Sequence, residues 1–411
     1  MTPLRLSRRI AALAPSSTTA AGKKAKALAA TGVDVVDFSI GEPDFATPDF
    51  VGRAGVRAIE AGRTKYTDVA GEAALRQAVA RKYQREQGAS VAPENVIVTA
   101  GAKQAVFNVC QAVFEEGDAV ALFAPYWVSF PEMVRLTGAE PVFAESRIED
   151  DWRMDPAALD RLEAGGRPVR GVILNSPNNP TGAVVDPDDL VRIARWCAER
   201  DAWLIYDETY DRFVYDGRSH ASGAKLVRPD GRVVVTGAAS KTYAMTGWRL
   251  GWAVGPPALV SAMSSYQSHT TSNASSISQA AALEALSDVE SSEATVADML
   301  SQYASRRAVM YEGLSAVSGV RCGLPEGAFY VFADVSALYG PLGVQGSAAF
   351  CDRLLAEAHV ATVPGDAFGA DSCVRFSFAS RAERIHEGIR RIQEWAAKQV
   401  AASGQARTGV R

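Results

Sequence analysis

The chain has 411 residues, 47% of them hydrophobic and 22% charged, with a formal net charge of −4. At ~100–200 residues per domain the length predicts two or three domains, and the apolar fraction is ample for a large core, which excludes a disordered chain. The mild acidity speaks against a nucleic-acid footprint, which needs a basic excess or stripe, and no apolar run approaches the ~18 residues of a membrane-spanning helix.

The N-terminal thirty residues carry Arg5, Arg8, Arg9, Lys23, Lys24 and Lys26 with no apolar run after them, so no secretory signal is expected. A first helix is predicted near 21–30. Strands are predicted at 95–99, 119–123, 141–144, 171–175, 203–206, 232–236 and 251–254, with helices between several of them, at 104–114, 188–199 and 257–266. Such alternation reads as βαβ units around a mainly parallel sheet. The runs at 172–174 and 233–235 are apolar at successive positions, as a sheet covered on both faces requires. After Ala280 the pattern is mostly helical through 297–314, strands are predicted at 328–332 and 374–378, and the small polar residues 401–411 read as a frayed tail. The reading is an α/β chain: a large domain at 49–307 holding the seven strands, and a small α+β domain built from both ends, 1–48 with 308–411.

The five cysteines, Cys110, Cys197, Cys322, Cys351 and Cys373, form no CxxC pair, so neither a zinc site nor a disulfide frame is expected. Buried thiols in a reducing cytoplasm are the better reading. The four histidines, His220, His269, His359 and His386, have no ligand spacing, so no metal is expected.

Chemistry gathers at the predicted strand ends, where open α/β sheets collect ligands. Residues 171–182 run Gly-Val-Ile-Leu-Asn-Ser-Pro-Asn-Asn-Pro-Thr-Gly, a buried strand entering a turn rich in Asn and Pro. Residues 203–210 run Trp-Leu-Ile-Tyr-Asp-Glu-Thr-Tyr, and Lys241 and Arg249 follow the strand predicted to end at Thr236. Each motif alone is weak, because Asp after a strand is a common helix cap and lysine is ordinarily solvated. Their order, spacing and shared placement are jointly specific.

With Gly41-Glu42-Pro43-Asp44-Phe45, Thr64-Lys65-Tyr66, Gly101-Ala102-Lys103-Gln104-Ala105, Pro125-Tyr126-Trp127-Val128-Ser129 and Val374-Arg375-Phe376-Ser377, these motifs span nearly the whole chain. The sequence resembles the class I aminotransferases, pyridoxal 5′-phosphate (PLP) enzymes of fold type I, and within them the bacterial aspartate aminotransferases of the lysine-using subgroup. The resemblance implies amino transfer from aspartate or glutamate to a 2-oxo acid, ping-pong through pyridoxamine phosphate. It implies that Lys241 is the catalytic lysine that bonds the cofactor, that Asp207 accepts the pyridinium N–H, and that Asn179 and Tyr210 bind the ring 3-oxygen. Trp127 would stack on the ring, and Gly101, Ala102, Ser240 and Arg249 would hold the phosphate. Tyr66 would reach the phosphate of a neighbouring subunit, which implies a homodimer. Arg375 and Gly41 would clamp the substrate α-carboxylate, Asn179 would assist, and Lys103 and Thr18 would meet the distal carboxylate.

Some positions depart from the family pattern. Ala14 stands where relatives that use prephenate carry Lys, which argues against that substrate. Ala274, Ala280 and Thr209 replace a frequent Pro, aromatic and Ile or Val. Two other readings follow from the same residues: a PLP enzyme of this fold performing oxidation, elimination or replacement, and a non-catalytic sensor, which the net charge and the early start of the resemblance disfavour.

Overall fold

A computed structural model of the chain describes residues 5–15, 17–166 and 168–408. Its centre is a seven-stranded sheet: β1 (Val96–Thr99), β2 (Ala119–Ala124), β3 (Glu140–Glu145), β4 (Val169–Asn175), β5 (Trp203–Asp207), β6 (Val233–Ala238) and β7 (Gly251–Val254). Each strand end lies within two residues of its predicted position. The spatial order is β1-β7-β6-β5-β4-β2-β3, and every neighbouring pair is parallel except those made by β7, which runs antiparallel to β1 and β6. The predicted α/β class and mainly parallel sheet are thus what the chain adopts.

The apolar runs divide between the two faces of the sheet with the period of two that a pleated strand imposes. Val172, Leu174, Leu204, Tyr206 and Val235 join one buried cluster, whereas Ile173, Ile205 and Val234 join a second on the opposite face. Helices cover both sides, so β5 and β6 need no polar face. The edge strand β3 instead mixes buried and exposed positions, and its Phe143 is 38% exposed.

Both chain ends assemble beside this sheet. Val36–Asp37 pairs in parallel with Val360–Ala361, which ties the N-terminal segment to the C-terminal one. A four-stranded antiparallel sheet orders Val363–Pro364, Cys373–Ser377, Tyr330–Asp334 and Arg321–Cys322. Three helices stand out: Ser17–Ala29 begins before its predicted start, Val289–Ser315 lies in the stretch read as mostly helical after Ala280, and Ala382–Thr408 was not predicted. The second begins where the Asp288 side chain accepts from the Ser291 N–H, a side-chain cap on the first turn. The third corrects the frayed-tail expectation for 401–408, and 409–411 lie outside the described residues. Among the described residues, no helix is long and apolar enough to cross a membrane.

The site depends on β5 being clamped by both clusters. Ile205 is 0% exposed, so Ile205→Ala should lower the unfolding free energy by about 2–5 kcal/mol. Truncation of Val191, 45% exposed, should stay within about 0.5 kcal/mol. Denaturant midpoints of the two variants read the difference.

Candidate active site

The carboxyl ends of β4, β5 and β6 open into one cavity of about 610 Å³, closed on the far side by residues from both chain ends. Lys241, Asp207, Asn179, Tyr210, Ser240, Arg249, Trp127 and Ala102 line it, as do Gly41, Thr18, Lys103 and Arg375. Sequence positions 18 to 375 therefore converge on one space. Gly101 sits just behind, with φ at +88°, and a Cβ there would lie 2.7 Å from the Arg249 Nη2. Only glycine serves both demands. Tyr66 is the one predicted residue that stands apart: it is 88% exposed and outside the cavity.

The turn after β4 is built from its own amides. Asn175 Oδ1 accepts the Asn179 N–H at 2.9 Å, while its Nδ2 donates to the Asp207 carbonyl at 3.0 Å, so one side chain locks the ends of β4 and β5 together. Asn178 Oδ1 accepts from the N–H and the hydroxyl of Thr181. These side chains satisfy backbone donors that a tight buried turn would otherwise strand.

Asp207 ends β5 and is buried. Its Oδ1 accepts the Thr209 N–H at 3.0 Å and the Thr209 hydroxyl at 2.6 Å. Burial pushes the carboxyl up to about 6, against the pull of the Thr209 donors. Lys241 follows β6 on the short helix Ala239–Thr242, and its Nζ donates to the Gly41 carbonyl at 2.6 Å. Desolvation lowers its ammonium to about 8; nearby Glu42 opposes this, and Arg375 and Arg249 reinforce it. A lysine held partly neutral near physiological pH is a nucleophile and a base.

Arg375 is 1% exposed. Its Nη1 donates to Asn179 Oδ1 at 3.0 Å and its Nη2 to the Ser39 carbonyl at 2.8 Å, and its Nε has no partner. The guanidinium lies over the Tyr330 ring at 4.4 Å, and Tyr330 and Tyr210 share a hydroxyl–hydroxyl bond of 2.8 Å. A Cβ on Gly41 would come within 3.1 Å of the Tyr330 hydroxyl, so the backbone approaches closely there. Lys103, one residue into the helix Ala102–Val113, is lowered by desolvation and then by Arg249, and its ammonium lies 4.8 Å from the centre of the Trp127 ring. Arg249 adopts φ of +54°, a left-handed conformation uncommon outside glycine, and its Nη1 donates to the Thr246 carbonyl at 2.7 Å.

Sequence reasoning missed Tyr330, Asn175, Ser39 and Asp37 as cavity residues. Tyr330 falls within a predicted strand whose apolar run hid its hydroxyl. Asn175 belongs to a quoted motif and was readable as the capping amide of a tight turn.

The profile of the family described as aminotransferase class I and II matches residues 33–392. The chain belongs to that family. The aminotransferase is 43% identical over 387 residues to the aspartate/prephenate aminotransferase of Thermus thermophilus, covering 94% of this chain and 97% of that protein. It is 37% identical over 394 residues to the aspartate aminotransferase of Geobacillus stearothermophilus, covering 95% of this chain and 99% of that one. The solved structure of Thermus thermophilus aspartate aminotransferase with maleate superposes with a TM-score of 0.90 at 41% identity, covering 95% of this chain and 100% of that one.

The lowered Lys241 has a measurable consequence. The folded aminotransferase disfavours the ammonium, so the unfolded chain binds the extra proton between about pH 8 and the ordinary lysine value of ~10.4. Stability from this group therefore rises with pH across that window. Without added ligands, Lys241→Met should be more stable than the parent at neutral pH, and the gap should narrow as pH climbs through the window. Urea midpoints with a constant gap would contradict the assignment.

Proposed function

We propose that this aminotransferase holds pyridoxal 5′-phosphate in the cavity and moves the amino group of aspartate or glutamate to a 2-oxo acid. The observation that carries this reading is the convergence, in one cavity, of a desolvated lysine, a buried carboxylate and a buried guanidinium in no direct ion pair among the described residues. The donor set fits the cofactor: a cation beside a glycine cradle for a phosphate, a buried carboxylate for a ring nitrogen, and a lysine for an aldehyde. When bound, that cofactor supplies an electron sink for the bond broken at the substrate α-carbon.

Each residue then has a task. Lys241 would hold the cofactor's aldehyde and would move the proton at the substrate α-carbon, which its lowered ammonium suits. Asp207 would accept the ring N–H. Tyr210 and Asn179 would donate to the ring 3-oxygen, and Trp127 would cover the ring. Gly101 and Ala102 offer N–H groups at a helix N-terminus to the phosphate, with Ser240 and Arg249 adding a hydroxyl and a charged fork. Arg375 takes the α-carboxylate bidentately, aided by the Gly41 N–H. Lys103 and Thr18 meet the distal carboxylate, which is the part of the reading that selects a dicarboxylic amino acid.

Tyr66, exposed in the single chain, completes this reading in a homodimer by reaching the neighbouring phosphate. The two-domain division at 48/49 and 307/308 belongs to it as well, with the helix Val289–Ser315 running across the second boundary. So does a cytoplasmic location, which five free cysteines, four of them buried, support. The names of the relatives support aspartate as donor, and maleate in the Thermus structure is a dicarboxylate of aspartate's length.

With aspartate and 2-oxoglutarate the loaded enzyme should form oxaloacetate and glutamate. The absence of oxaloacetate removes the aspartate assignment. Lys241→Ala should lose the visible-range absorbance of the lysine-bound cofactor and slow transfer by about 10²–10⁴-fold; absorbance retained in that variant assigns another lysine.

A further inference from the structure

We infer that the Thr209 hydroxyl is a positioning group for Asp207: it fixes one carboxylate oxygen and keeps the shared proton on the cofactor's ring nitrogen rather than on the carboxyl. This inference rests on the proposal that PLP is the cofactor. A side chain at position 209 without a hydroxyl, such as Ile or Val, could not donate to the carboxylate.

Thr209 lines the cavity two residues beyond Asp207. Its hydroxyl donates to Asp207 Oδ1 at 2.6 Å and its N–H to the same oxygen at 3.0 Å. Both donors meet Oδ1, so Thr209 fixes one oxygen of the carboxylate. The backbone donor is available to any residue at this position; the hydroxyl is particular to Thr or Ser.

The charge balance gives the hydroxyl its purpose. Burial and the adjacent Glu208 both make the Asp207 carboxyl hold its proton more tightly, whereas the Thr209 donors and, more weakly, the Thr236 hydroxyl oppose them. The outcome, about 6, is close to the range in which a pyridine nitrogen itself titrates. Two groups of similar basicity sharing one proton are finely poised. A donor on Oδ1 stabilises the carboxylate and not the carboxylic acid, so it tips the proton toward the ring. Electron withdrawal from the substrate α-carbon is strongest with that proton on the ring.

The test loads the parent, Thr209→Val and Thr209→Ser with PLP labelled with ¹⁵N in the ring and reads the nitrogen chemical shift by NMR. Visible absorbance in each sample establishes that the cofactor is bound. The parent and Thr209→Ser should give the protonated-ring shift, and Thr209→Val, which keeps shape without the hydroxyl, should move toward the neutral-ring shift. Its kcat for amino transfer should fall by about tenfold with KM little changed, the size expected for a hydrogen bond to a charged group. A ring shift in Thr209→Val identical to that of the parent overturns the inference while leaving the cofactor reading intact. A parent that takes up no PLP overturns both.

Discussion

The Arg375 guanidinium is 1% exposed and pairs with no carboxylate among the described residues. A cation removed from water is costly unless it is paired, and here only neutral groups receive it: an amide oxygen, a backbone carbonyl and the face of an aromatic ring. Burial accordingly lowers its proton affinity below the ordinary arginine value. The rest of the molecule is arranged around this debt of charge. Asn179 comes from the turn after β4, Ser39 from the N-terminal segment, and Arg375 and Tyr330 from adjacent antiparallel strands near the C-terminus. In the proposed function a substrate carboxylate is the missing partner, held between the central sheet and the chain-end sheets.

Lys241 and Asp207 follow the same logic with opposite signs. Desolvation pushes lysine down and aspartate up, so each is brought toward neutral pH by burial in the same cavity. Catalytic proton transfer works best when such groups titrate near the working pH. The strained backbone of Arg249 and the crowding at Gly101 and Gly41 belong to this arrangement too. A chain selected for stability alone would relax these features, so the site spends folding free energy that the two apolar clusters supply.

The central strands were legible because short apolar runs between turn-forming residues, as at 172–174 and 233–235, leave little choice of period. That Lys241 and Asp207 would meet at the strand ends was legible because strand-end motifs are local in sequence. What escaped was non-local. Tyr330 enters the cavity only through the pairing of two short strands, and Ser39 only because Val36–Asp37 adds to Val360–Ala361. Thr209 was noticed as a departure, but its bond to Asp207 depends on the rotamer a folded turn selects. The start of Ser17–Ala29 was read too late because its first turn is Ser and Thr, which sequence reasoning assigns to loops.

The central claim is that Arg375 carries an uncompensated charge reserved for a carboxylate. The most direct measurement is the dissociation constant of maleate, an unreactive dicarboxylate, for the PLP-loaded parent, Arg375→Lys and Arg375→Leu, titrated by calorimetry. The account predicts that Arg375→Leu weakens binding by about a hundredfold or more, and that Arg375→Lys, which keeps the charge but loses the planar fork, falls between the two. Equal affinity in all three proteins would contradict it.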